Sequence, residues 1–287
     1  MRRKPVRMKS TILVLAVCAT LVTYAEKLVK NGDTVVFMGD SITRYGGDNP
    51  HGYVNLTVAG LAANGIAVTF YDVGVPGEVA AEMRARFTRD VIDRKPAVVT
   101  ISAGVNDIYF GVAEESKSGK PVSNPSDVIA MIEAAQANGI RPIVMTPTFA
   151  EFDTGENSEI TKDYAAAVRS YALTKGIPLA DTWQAVTDWR DDSTAPYLEY
   201  QLKYKLTIDG VHMAPAGNRV MARALLRAMG LDDSEMAKAE AAWNADEHIF
   251  GVHPTVKITP AQLATFKQAA ANTGMGACLK MAEEMGA

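Results

Sequence analysis

The feature that most constrains this chain is a repeated switch in the period of its hydrophobic residues. Short apolar runs at 35–38, 67–71, 97–102, 142–146 and 177–180 alternate with stretches whose apolar residues recur every three or four positions. Apolar residues on successive positions suit strands covered on both faces, as in a parallel sheet. Between the runs, Val79, Met83, Phe87 and Val91 stand at steps of four. A second helical pattern has Asn124 as N-cap and Pro125 at the first helical position, followed by Val128, Met131, Ile132 and Ala135. A third aligns Ile160, Tyr164, Val168 and Tyr171 and stops at Gly176, a natural C-terminal cap. Strand, helix and strand in repeated order predict an α/β domain with about five parallel strands and helices on both faces. In such sheets ligands bind beyond the carboxyl ends of the strands, so a functional motif should fall just after a strand.

The chain of 287 residues is long enough for one such domain with an appendage. Residues 1–25 carry five basic side chains and no acidic one, then an apolar run from Thr11 that ends on Ala25. The run is short for a bilayer span and has the form of an export signal; an uncleaved anchor is the competing reading. Lipidation at Cys18 is disfavoured by the bulk of Val17. The organisation expected is a signal peptide at 1–25, the α/β domain at 26–230 and a helical extension at 231–287. In that extension 234–245 and 259–271 read as helices, packed on the domain or on a partner subunit. The localisation expected is secreted or periplasmic, without stable membrane insertion.

Removing the first 25 residues leaves 24 basic against 33 acidic side chains. An acidic remainder argues against nucleic acid as a partner, which needs a basic footprint, and against docking on anionic lipid. Cys278 would then be the single cysteine, so no intrachain disulfide is available and the core must hold the domain. The four histidines, His51, His212, His248 and His253, show no paired spacing of the kind that binds metal.

Four short motifs stand where the strand argument wants them. Gly39-Asp40-Ser41-Ile42 follows the first apolar run, and a serine on a tight turn there is exposed to both a base and a substrate. Gly74-Val75-Pro76-Gly77 follows the second, where glycine lets a backbone N–H approach a ligand closely. Gly104-Val105-Asn106-Asp107 follows the third, and an asparagine amide can donate to a developing oxyanion without titrating. Asp209-Gly210-Val211-His212 places a carboxylate three residues before an imidazole, close enough to fix its tautomer from within one loop. By chance Gly-Asp-Ser is expected in about one chain in fifteen and Gly-x-Asn-Asp in about one in twenty, whereas Asp-x-x-His alone is weak, arising in about a third of chains this long. Their joint occurrence in this order, each after a strand or, for the last, before a helix that has Pro215 near its start, carries the weight. Asp40 and Asp107 read as hydrogen-bonding their own turns rather than as further reacting carboxylates.

The four segments resemble the SGNH (GDSL-like) hydrolases, over about residues 33–230. The resemblance implies a flavodoxin-like three-layer α/β/α fold, no metal, no cofactor, and ester cleavage through an acyl-enzyme. Position by position it implies Ser41 as nucleophile, His212 as general base and Asp209 as the acidic triad member. Ser41 N–H, Gly77 and Asn106 would be the oxyanion donors, with Gly74 as the fallback for Gly77. Asp72 and Val79 stand where the family often carries asparagine and threonine.

Substrate choice should fall to the loops at 44–53, 109–123 and 187–208. The last holds Trp189, Tyr197, Tyr200 and Tyr204; the three tyrosines stand at helical spacing, which favours packing over sugar stacking. Export, an acidic chain and the loop composition, with aromatic beside Asp, Arg and Gln side chains, point to removal of short acyl groups, acetyl above all, from carbohydrate, and the absence of a long apolar lid argues against a lipase for long acyl chains. Two alternatives stay open: a lysophospholipase or thioesterase on the same triad, and a non-catalytic carbohydrate-binding protein.

Overall fold

The computed structural model describes residues 27–110, 125–148, 156–191 and 206–245. Five strands, β1 (Thr34–Gly39), β2 (Thr69–Gly74), β3 (Val98–Ser102), β4 (Arg141–Met145) and β5 (Leu179–Ala180), form one parallel sheet in the order β2-β1-β3-β4-β5. The helices between and after them are α1 (Ser41–Asp48), α2 (Tyr53–Ala63), α3 (Ala80–Asp90), α4 (Ser126–Ala137), α5 (Glu156–Lys175), α6 (Thr182–Asp191), α7 (Pro215–Ala228) and α8 (Asp233–Ala245).

Strand periodicity sorts the core into two halves. Val35 and Phe37 of β1, with Val98, Ile143 and Met145, face α1, α2, α7 and α8. Val36 and Met38, with Val99, Ile101 and Val144, face α3, α4 and α5. Successive side chains of a strand point to opposite faces, so an unbroken apolar run such as 35–38 is what a sheet sandwiched between two helix layers requires. The three-layer α/β/α fold expected from the sequence is the fold observed.

Some boundaries differ from expectation, each for a tertiary reason. β2 begins two residues later and runs to Gly74, because its register is set by pairing with β1, Thr34 against Thr69 through Gly39 against Gly74. As an edge strand it leaves Thr69, Phe70 and Tyr71 exposed, so it is not covered on both faces as β1, β3 and β4 are. Pro125 is the N-cap of α4 rather than its first residue, and Asn124 lies outside the described residues. The stretch 44–53, expected as a loop, is largely helical: α1 runs to Asp48, and α2 starts at Tyr53. Trp189 falls on α6, while Tyr197, Tyr200, Tyr204, the export segment and everything after 245 lie outside the described residues.

The helical extension begins against the domain. Trp243 of α8 is 1% exposed, belongs to the same core half as Leu56 and Leu226, and donates its indole N–H to the Leu56 carbonyl at 2.9 Å. Gly60 on α2 allows this approach, since a Cβ there would stand 2.6 Å from Leu226 and 3.1 Å from Ala239. Among the described residues no helix is long and apolar enough to cross a membrane.

Candidate active site

The chain reverses its direction of growth across the sheet between β1 and β3, and the crevice beyond their carboxyl ends is where a ligand site belongs in this topology. All four motifs meet there. Asp40 caps α1, its carboxylate accepting the Ile42 N–H at 2.8 Å, and Ser41 is the first residue of the helix. The leading N–H groups of a helix have no intrahelical acceptor, so the Ser41 N–H is available to a ligand and lies at the positive end of the helix dipole. Gly39 admits the return of α1 over the strand: a Cβ would stand 1.9 Å from the Thr43 hydroxyl.

His212 comes from the far side of the sequence, on a loop closed by backbone bonds from Ile208 N to His212 O and from Ala214 N to Leu206 O, both 2.8 Å. Asn218 fastens this loop to the rest of the molecule. It donates to the carbonyls of Met213 (2.9 Å) and Ala214 (3.2 Å), and it accepts the Tyr53 N–H at 2.9 Å. The result puts His212 Nε2 2.8 Å from Ser41 Oγ and His212 Nδ1 2.5 Å from Asp209 Oδ2. Asp209 Oδ1 accepts the N–H groups of Val211 (3.0 Å) and His212 (2.8 Å). Partial burial alone would raise the Asp209 carboxyl, but the imidazole and those two N–H groups outweigh it and hold it at about 2. The carboxylate is therefore ionised at any ordinary pH and keeps a proton on Nδ1, leaving Nε2 to accept from the serine.

The other two donors expected to face an oxyanion, Gly77 and Asn106, line the same cavity as Ser41 and His212. Gly77 has φ +83°, a left-handed conformation that favours glycine. Asn106 donates one amide hydrogen to the Glu78 carbonyl at 2.9 Å, which turns its NH2 group, and not its oxygen, toward that turn. Gly74 is excluded from the role it was held in reserve for: its N–H is bonded to Asp72 Oδ1 at 2.8 Å. Its smallness serves a close approach instead, since a Cβ would lie 2.4 Å from the Arg44 nitrogen and 2.8 Å from the Asp40 carbonyl.

Ser41, Gly77, Asn106 and His212 line a cavity of about 250 Å3, walled by Tyr45, Pro76, Val105, Tyr109, Phe110 and Val211. Tyr45 packs on the histidine, ring centroids 4.7 Å apart, and Tyr109 and Phe110 form an edge-to-face pair at 5.2 Å. These aromatics were not singled out from the sequence. Tyr45 follows Ser41 by one helical turn and would have been found had residues 44–48 been read as helix. Burial lifts the Asp40 carboxyl to about 6. It also raises Asp107, which bonds backbone of its own turn, as expected, and beyond it accepts the N–H of Ala80 at the start of α3 (3.1 and 3.2 Å). Among the described residues no group of three His, Cys, Asp or Glu side chains could hold a metal ion.

A serine, an imidazole and a carboxylate in hydrogen-bonded series beside a set of N–H donors can carry out acyl transfer. The family model of GDSL-like lipases and acylhydrolases matches residues 37–220, which include all four motifs. The chain belongs to that family. This hydrolase is 26% identical over 220 residues to the acetylxylan esterase of Geobacillus stearothermophilus, covering 71% of this chain and 97% of that one. It is 28% identical over 134 residues to Esterase TesA of Pseudomonas aeruginosa, covering 46% of this chain and 62% of the other. The crystal structure of Axe2, the Geobacillus stearothermophilus acetylxylan esterase, superposes with a TM-score of 0.60 at 24% identity, over 71% of this hydrolase and 97% of that chain, which shows the common fold. The hydrolase is thus an enzyme that acts on carboxylic ester bonds.

Proposed function

We propose that the enzyme removes short acyl groups, acetyl above all, from carbohydrate after export of the chain. Ser41 attacks the ester carbonyl while His212 takes its proton, and Asp209 holds the imidazole in the tautomer this requires and steadies its positive charge. The oxyanion is received by the N–H groups of Ser41 and Gly77 and by the Asn106 amide. His212 then protonates the leaving alcohol, and water repeats the cycle on the acyl-enzyme.

The observation that carries the chemistry is the continuous hydrogen-bonded series from Ser41 Oγ through His212 to Asp209, at 2.8 and 2.5 Å. In the Geobacillus stearothermophilus esterase, catalytic mutants replace a serine, an aspartate and a histidine, the last two spaced three residues apart as Asp209 and His212 are. A short acyl group fits a cavity of about 250 Å3, below the ~300 Å3 at which drug-sized ligands begin to be enclosed. The carbohydrate alcohol is supported by the acetylxylan esterase relative and by the exposed Tyr45 and Tyr109 at the cavity mouth, whose rings can stack on a sugar.

A second reading, a lysophospholipase or thioesterase, draws on the apolar walls at Val105, Phe110 and Val211 and on the likeness to Esterase TesA. Hydrolysis of p-nitrophenyl acetate and octanoate, beside Ser41→Ala, decides between them. Acetate preferred and lost with Ser41, with acetate released from acetylated xylan, is the expected result. Turnover confined to octanoate would favour the second reading. Glycan binding by an equally inert wild type and variant would leave the scaffold as a binding protein.

A further inference from the structure

Arg86 lies on α3, outside the cavity, and the chemistry above makes no use of it. Its residue is 8% exposed, and a buried guanidinium is costly unless its donors are met. Three of them are. Nε donates to Glu78 Oε2 at 2.7 Å, Nη1 to Asp90 Oδ2 at 2.9 Å and Nη2 to the Gly39 carbonyl at 3.2 Å. Asp90 sits one turn along the same helix, but the other two partners belong to the site. Gly39 ends β1, two residues before Ser41, and Glu78 directly follows Gly77. The main-chain carbonyl of Glu78 in turn accepts the Asn106 amide. Packing α3 on the sheet does not call for a charge here, since Met83 and Phe87 of the same helix already do that with apolar side chains.

We propose that Arg86 is a positioning residue that sets the spacing of the three oxyanion donors. It ties the segment that leads into Ser41 to the turn that carries Gly77, and through Glu78 it steadies the acceptor that orients Asn106. Apart from this clamp, the bond from Val75 N to the Gly39 carbonyl (3.0 Å) joins the two segments, and the turn itself is closed by a long Glu78 N to Val75 O contact of 3.4 Å. Oxyanion donors act at 2.7–3.1 Å from the charge, and a misplacement of about 1 Å costs roughly a hundredfold in rate. The proposal rests on the reading of the site given above.

The test is Arg86→Lys, which keeps the charge but cannot reach three partners at once. With p-nitrophenyl acetate, kcat should fall about ten- to a hundredfold with KM changed less than about threefold, as for an interaction made in the transition state. Affinity for a boronic acid that forms a tetrahedral adduct should fall by about the same factor. The pH midpoint of kcat should stay in place, because the His212–Asp209 pair is untouched. A lower thermal midpoint with kcat and boronate affinity unchanged would mean that Arg86 only stabilises the fold, and would overturn the proposal. If Arg86→Lys does not fold, Glu78→Gln serves instead: a smaller joint fall in kcat and boronate affinity supports the clamp, and no change in either overturns it. Ser41→Ala separates the two levels of inference. Turnover surviving in Ser41→Ala removes the reading of the site itself. Turnover abolished there but kept within about twofold in a folded Arg86→Lys removes only the role of Arg86.

Discussion

Asp209→Asn tests the tautomer argument most directly, because the two carboxylate oxygens have separate partners. Oδ1 accepts two backbone N–H groups, at 3.0 and 2.8 Å, and Oδ2 faces His212 Nδ1 at 2.5 Å. An asparagine must leave its carbonyl oxygen on the two N–H groups. Turning it round would lose two hydrogen bonds, about 1 kcal/mol each, and point an NH2 group at two donors. The NH2 therefore faces Nδ1, which has to become an acceptor, and the imidazole proton moves to Nε2. At 2.8 Å from Ser41 Oγ that nitrogen then donates to the serine and can no longer take its proton. The expected loss is about ten thousandfold in kcat, as for the same exchange in a serine protease triad, or about 5 kcal/mol in the barrier. KM for p-nitrophenyl acetate should move little, since binding does not depend on the tautomer. Steady-state kinetics give both numbers, and 15N chemical shifts of the His212 ring report which nitrogen carries the proton. A fall smaller than tenfold, or a proton still on Nδ1, would refute the argument.

Other consequences can be measured on the same protein. Asn106→Ala should lower kcat about a hundred- to thousandfold by removing one oxyanion donor; turnover within threefold of wild type would remove it from that role. Asp40→Asn should keep the cap on Ile42 but change the pH dependence of stability. The native carboxyl titrates near 6 against an ordinary 3.8, so between those values the folded chain holds a proton that the unfolded chain has released. Its contribution to stability falls as pH rises from about 4 through 6, and the full penalty is present above that. Urea denaturation of Asp40→Asn should therefore show up to about 3 kcal/mol of added stability at pH 8 and little at pH 4; equal gains at both would count against the burial argument. Trp243→Ala should cost about 3–5 kcal/mol by leaving a cavity between α2 and α8. An unchanged thermal midpoint would show that α8 is dispensable to the domain.

The sequence determined the architecture through its hydrophobic periods. An unbroken apolar run such as 35–38 can be buried only between two layers, and steps of four at Met83, Phe87 and Val91 leave one helical face for the sheet. It also placed three of the four motifs just after a strand, where backbone geometry exposes side chains to a crevice, and the fourth just before a helix. What it did not contain were facts set by contacts between distant segments. The register and exposure of β2 depend on which strand it pairs with and on its being at the edge. Whether Gly74 or Gly77 offers its N–H depends on where the Asp72 carboxylate points. Tyr45 joins the site because α1 brings it over a histidine 167 residues further along the chain. Arg86 reads in the sequence as one more basic residue on an amphipathic helix. Only the fold brings its guanidinium to Gly39 and Glu78, because a hydrogen bond depends on distance in space and these partners are set by the packing of α3 against the ends of β1 and β2.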